Sequence, residues 1–275
     1  MLHTATALID ASGLTVSLDH ISFEEVIQQA GVSRSAAYRR WPYKDLFFSD
    51  LLKELARAAR PAAVSGFETA TASIRHTALA HVDWLETADG RRDLVLEMIR
   101  RGALNDFDTM LDSTEWRTYL ALHATFLSIA DEELRNDLQA ALATSERGFI
   151  SRISASWEQL AGLLGYRLRA EVQGSFEMIA SLASATLRGL VIMALSTPEI
   201  ASRRVQARPF GAAQTAEWSQ AALTAASIAF AFLELDPTIE WDDGRLAEVR
   251  RALGSLGAVR AENVSARSVS EAVRS

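Results

Sequence analysis

Between Arg34 and Lys44 the chain reads RSAAYRRWPYK, with four basic residues, two tyrosines, a tryptophan and no carboxylate. Guanidinium and ammonium groups neutralise phosphates, and hydroxyls donate to phosphate oxygens. A planar guanidinium also matches the acceptor edge of guanine. Residue types of this kind, so closely spaced, suit contact with a polyanion. The rest of the chain has the opposite character. The formal net charge is −7, and residues 1–60 hold seven basic and seven acidic side chains. Residues 61–275, with 21 basic and 28 acidic, therefore carry the whole excess. An acidic average argues against coating nucleic acid non-specifically. It leaves room for a small DNA-reading module whose positive charge is concentrated by position.

The elements around this segment follow from local signals. Phe23, Val26, Ile27 and Ala30 have helical spacing. Ser22 precedes them as an N-cap, and Glu25 completes a capping box. Gly31 stops that helix as a C′ glycine. Ser33 caps a second helix, which is short because Pro42 disfavours helical geometry at Trp41. A third helix begins near Lys44 and runs to about Arg60, before Pro61. Helix, glycine turn and short helix together are the helix-turn-helix layout. The expected inner face is Phe23, Val26, Ile27, Val32, Ala37 and Trp41. The expected outer face is Arg34, Ser35, Tyr38, Arg39 and Arg40.

The bulk of the chain is rich in Ala and Leu and predicts an all-α protein. Of its 275 residues 49% are hydrophobic, and none is cysteine, which excludes disulfides and thiolate metal sites. No apolar run of about 18 residues stands out, so no transmembrane helix and no membrane partner are expected. The first residues lack the positive segment of a secretory signal, and the expected location is cytoplasmic. Beyond Pro61 the amphipathic segments are approximately 65–88, 90–103, 114–129, 131–164, 170–196 and 214–235. Residues 198–214 read as a loop with a charged middle, and 254–275 as a poorly ordered end.

Residues 22–52 resemble the DNA-binding region of the tetracycline-repressor family of bacterial regulators. The resemblance rests on Ala30-Gly31-Val32-Ser33, Tyr38, Trp41-Pro42, Lys44, Leu46 and Phe47 in register. It covers roughly the first 56 residues; beyond them only the helical character and length agree. The chain departs from the family in having no Lys or Arg in residues 1–20, a longer connection GLTVSLDHIS, and Tyr43 where a small capping residue is usual. The resemblance implies a helix-turn-helix DNA-binding domain at 1–56 and a helical ligand-binding and dimerisation domain at 57–240. Residues 241–275 would follow as a partly disordered tail. It further implies that Tyr38, Lys44 and Arg40 hold phosphates and that Arg34 and Ser35 reach base edges. Arg34 would grip guanine, and Ala36 would offer a methyl contact to thymine. Arg39 reaches phosphate or faces solvent. Ser22 and Ser33 cap their helices first and touch phosphate second.

In the larger region Trp116, Tyr119, His123 and Phe126 fall near one helical face, and the stripe either lines a ligand cavity or is ordinary core. Trp84, Met98, Phe107 and Met110 are weaker candidates for the same lining. His76 and His81 are five apart, not the four that align two ligands for a metal. No catalytic constellation, metal set or cofactor motif emerges. Glu24-Glu25 and Asp131-Glu132-Glu133 sit where helix N-termini favour acids. Segments 174–195 and 216–234 are apolar around much of their circumference, which suits burial within one chain or pairing with a second copy. The expectation is a homodimeric transcriptional regulator, a repressor, that binds double-stranded operator DNA and responds to a small-molecule effector. The alternative is an all-α enzyme or a protein-interaction module that retains a helix-turn-helix.

Overall fold

Serine and aspartate caps start several of the helices. Ser22, Ser33, Ser175, Ser219 and Asp242 each accept a hydrogen bond from the backbone N–H three residues on, satisfying a donor that the helix itself leaves free. The computed structural model describes residues 1–12, 21–58, 63–125 and 129–256; at 10–12, 57–58 and 63–70 it describes the backbone alone. Its helices are α1 (Leu2–Ser12), α2 (Phe23–Gln29), α3 (Arg34–Arg40), α4 (Lys44–Ala58), α5 (Ala63–Ala80), α6 (Ala88–Asp112), α7 (Thr114–Thr125) and α8 (Glu132–Leu163). The strand β1 (Tyr166–Leu168), α9 (Phe176–Ser196), α10 (Glu199–Ser202), β2 (Arg204–Ala207) and β3 (Ala216–Ser219) follow. Last come α11 (Gln220–Phe232), β4 (Leu233–Leu235) and α12 (Asp243–Ser255). The described residues are therefore mostly helical, with four short strands among them.

Two compact units divide it. The first comprises 1–64 and 110–151, and the second 65–109 and 152–275. Both are discontinuous in sequence. In the first, α1 packs on α2, α4 and α7. Ala5 and Ile9, one turn apart on α1, are fully buried, as are Val26, Phe47 and Leu51. Lys53 pairs with Asp137 at 2.8 Å.

In the second unit one core cluster gathers Leu85, Leu94, Met98, Leu164, Tyr166, Val249 and Leu253. A second gathers Leu96, Trp218, Ala222 and Ala226. β1 pairs antiparallel with β4, Tyr166 opposite Leu235, and β2 with β3, Arg204 opposite Ser219. Gly165 adopts φ 77°, and a Cβ there would lie 3.0 Å from the Trp241 ring. Arg91 covers that ring at 4.1 Å from its centroid. The close approach thus needs glycine twice over, for its φ and for its size.

Several expectations change. The 65–88 segment ends as an α-helix at Ala80; a short 3-10 turn, Val82–Glu86, follows, and α6 starts behind Thr87, whose hydroxyl accepts from Gly90 N–H at 3.0 Å. That helix runs through Gly102 to Asp112 rather than ending at 103. Segments 170–196 and 214–235 begin as helices only after the Ser175 and Ser219 caps. The expected loop 198–214 contains α10 and β2. Within the expected tail, residues 243–255 form α12, whose Val249 and Leu253 are fully buried; residues 257–275 lie outside the described residues. By length and composition α9 could cross a membrane, with a mean hydropathy of 1.8 and 28% of that stretch buried. No such segment was expected from the sequence.

Burial pushes the Asp106 carboxyl on α6 up to about 7, well above the usual carboxylate range. A carboxyl raised in the folded state favours folding while protonated. The contribution is full below the unfolded value of about 3.9 and is lost as pH rises through about 7. Asp106→Asn is therefore expected to melt at a higher temperature than wild type at pH 8 and to show a flatter melting-temperature profile from pH 5 to 8. Parallel profiles by calorimetry would contradict this.

Candidate nucleic-acid interface

Three helices and one glycine build this surface. The Ser22 hydroxyl accepts from Glu25 N–H at 3.4 Å, and α2 then buries Phe23, Val26 and Ile27. Gly31 takes φ 64°, the left-handed geometry that lets the chain reverse at a helix end without a Cβ clash. Two residues on, Ser33 accepts from Ala36 N–H at 3.3 Å and starts α3. Ser33 and Ser35 hydroxyls lie 3.2 Å apart. α3 closes at Arg40, since Trp41, ahead of Pro42, leaves helical geometry with φ −127°.

The inner side of α3 is Ala37, which is buried. Tyr38 lays its ring edge-on against Phe23 at 5.4 Å, while Phe47 of α4 meets Phe23 at 4.9 Å and Trp41 at 5.2 Å. Phe47 is itself wholly buried. This aromatic contact joins α2, α3 and α4. Val32, expected inside, is 37% exposed, because the left-handed turn at Gly31 carries it outward. Trp41 is half-buried and its indole N–H donates to Asp50 at 2.9 Å.

Arg34, Ser35, Tyr38, Arg39, Arg40 and Lys44 are all exposed, and Ala36 is half-buried between them. Two of the cations have carboxylates at hand. Arg34 pairs with Glu24 at 2.8 Å, and the Tyr38 hydroxyl donates to the other oxygen of Glu24 at 2.9 Å. The same bond holds the Tyr38 phenol above its usual range. Arg40 lies 3.9 Å from Asp50 and 5.6 Å from the Trp41 ring centroid. Arg39 and Lys44 form no ion pair or hydrogen bond with a described residue. Glu24 carries a role that the sequence reading did not see. Helix-start chemistry accounts for an acid in that position, but only the fold brings it to Arg34 and Tyr38.

The candidate ligand-lining residues are divided between the two units. In the first, Trp116 and Tyr119 are buried, with Trp116 edge-on to Tyr119 and Phe149. The Tyr119 hydroxyl donates to Glu146. His123 is exposed, against the expected inward stripe, and meets Tyr119 edge-on at 4.6 Å. Met110 is buried, and Phe126 lies outside the described residues. In the second unit Met98 belongs to the core cluster and Phe107 is buried. Trp84 is 38% exposed and stacks on His81 at 4.3 Å. Packing among neighbours thus accounts for most of these side chains. Among the described residues no group of three or more histidine or carboxylate side chains converges as a metal site.

No family model, curated protein or solved structure matches the chain.

Removing the shared aromatic tests how far the surface depends on it. Phe47→Ala is expected to cost about 3–5 kcal/mol, the usual range for a buried phenylalanine. Urea unfolding followed by tryptophan fluorescence would read it. A loss under about 1 kcal/mol would show that α3 is held by other contacts.

Proposed function

We propose that the chain is a sequence-specific DNA-binding transcriptional regulator of the tetracycline-repressor type, a homodimeric repressor released by a small molecule. The observation that carries the reading is α3. It is a short helix tied from behind by Ala37 and the Tyr38 ring, and it offers Arg34, Ser35, Tyr38, Arg39 and Arg40 to solvent. In this reading Arg34 and Ser35 reach base edges in the major groove, with Ala36 against a thymine methyl. Tyr38, Arg40 and Lys44 hold phosphates. Lys44 opens the 15-residue α4, whose N-terminal N–H groups and dipole add to its attraction for an anion.

A regulator that reads a two-fold site needs two copies of this surface. α9 supports the pairing. Met178, Leu182, Ile192 and Met193 are 46%, 42%, 53% and 55% exposed. Ala185 and Gly189 continue the Met178–Leu182–Ile192 stripe at helical spacing. A Cβ at Gly189 would meet nothing within 4 Å, which leaves room for a second helix to approach. The helix packs on α11 within the chain, and the stripe would be covered by the same helix of a second copy. Lipid suits it less well, since Arg188 falls inside the apolar stretch. The effector would act by favouring a dimer geometry that cannot span the half-sites. Its leverage is limited to its difference in affinity for the two geometries.

Three variants test the reading. On a duplex selected by the protein from a randomised pool, Arg34→Ala should cost about 1–3 kcal/mol and relax preference at one base pair per half-site. Lys44→Ala should weaken selected and random duplexes alike and lower the slope of log K against log salt by about 0.9 per lost contact. Failure to recover any preferred sequence would contradict the function. Separately, Ile192→Glu should convert dimer to monomer by light scattering and weaken binding to the selected duplex, with helix content unchanged by circular dichroism. A dimeric variant would place the interface elsewhere.

A further inference from the structure

Glu24 stands on the first turn of α2, and both of its oxygens are engaged by α3. Oε1 accepts from the Tyr38 hydroxyl at 2.9 Å, and Oε2 pairs with Arg34 Nη2 at 2.8 Å. A tyrosine hydroxyl has one proton to give. While Glu24 takes it, a phosphate cannot. Arg34 is less committed, because a guanidinium carries five donor hydrogens and this side chain is 74% exposed. An open groove of about 370 Å³, lined by Glu24, Glu25, Ile27, Gln28 and Arg34, lies alongside the ion pair. The contact can therefore exchange partners without disturbing the aromatic packing behind it.

Carboxylate and phosphodiester oxygens make the same demand on these donors. Both are anionic acceptors of charge-assisted hydrogen bonds. We propose that Glu24 is an internal stand-in for DNA: in the free protein it holds Tyr38, whose hydroxyl would otherwise meet a phosphate, and Arg34, whose guanidinium would otherwise meet a base edge, and DNA binds by displacing it. The inference rests on the DNA-binding reading and adds an autoinhibitory contact within the same surface. A complex on any sequence must break or share the contact, so Glu24 lowers affinity generally. Glu25 supplies the comparison. It has the same charge on the same turn, but its carboxylate accepts from Gln29 at 3.3 Å and engages neither Arg34 nor Tyr38.

The test compares Glu24→Gln with Glu25→Gln, both charge-removing and nearly isosteric. Fluorescence anisotropy at moderate salt would follow each variant and the wild type on a pool-selected duplex and on one of scrambled sequence. Glu24→Gln should tighten both by about two- to fivefold per subunit, the range for breaking an exposed ion pair. Glu25→Gln should do less. The difference should vanish when Tyr38→Phe and Arg34→Ala are also present. Equal gains from the two variants would overturn the inference, since simple charge removal would then suffice. Weaker binding by Glu24→Gln would overturn it too and make Glu24 a positioning residue for Arg34. A second arm needs no DNA. The Tyr38 ring, titrated by NMR, should lose its proton at lower pH in Glu24→Ala, which removes both the acceptor and the charge, and an unchanged titration would overturn the contact itself. If the titration shifts but neither wild type nor variant binds any duplex, the DNA-binding reading fails, and the displacement fails with it.

Discussion

Phe47 is the constraint on which the candidate surface depends. Its ring is wholly buried, and it touches Phe23 of α2 and Trp41 at the end of α3. Tyr38 completes the set by leaning edge-on against Phe23. Edge-on and tilted aromatic pairs have preferred geometries worth a fraction of a kcal/mol to about 1.5 kcal/mol beyond burial. Helices of seven residues could not persist alone in water. The aromatic contact and the two serine caps supply what helix propensity cannot. α3 can consequently be polar on most of its circumference and still hold one orientation.

That polarity is balanced rather than bare. Glu24 sits against Arg34 and Tyr38, and Asp50 against the Trp41 indole and near Arg40. The arrangement tempers the basic segment without removing it, since Arg39 and Lys44 have no such partner among the described residues. A chain of net charge −7 would repel a polyanion except through this face. In the proposed reading the acidic body would discourage non-specific contact, and the local basic edge would set how the protein approaches DNA. Exposed pairs of this sort each contribute little to stability, so their consequence is felt in what the cations are free to do.

Local chemistry made α2, α3 and α4 legible. Ser22, Gly31, Ser33 and Pro42 are punctuation whose meaning lies within four residues, and the observed ends fall where they stand. The buried Phe23, Val26, Ile27 and Ala37 followed from helical spacing. What escaped depends on distant partners. Glu24 meets Tyr38 fourteen positions away, and no periodicity encodes that. His123 kept helical register with Trp116 and Tyr119 yet faces solvent, because a stripe near one face still has an edge. α12 escaped because only Val249 and Leu253 lie fully inside, and a Ser- and Arg-rich end masks so sparse a pattern. The short strands escaped because three- and four-residue pairs with one exposed side carry almost no alternation to read.

The central claim is that the outer side of α3 and the start of α4 meet DNA. Backbone amide NMR of the labelled chain, titrated with a duplex recovered from a randomised pool, tests it most directly. The account predicts that the largest shift changes fall within residues 33–44, with Glu24 the principal responder on α2. Changes spread evenly over the chain, or centred on α9 or the β2–β3 hairpin with α3 silent, would contradict it.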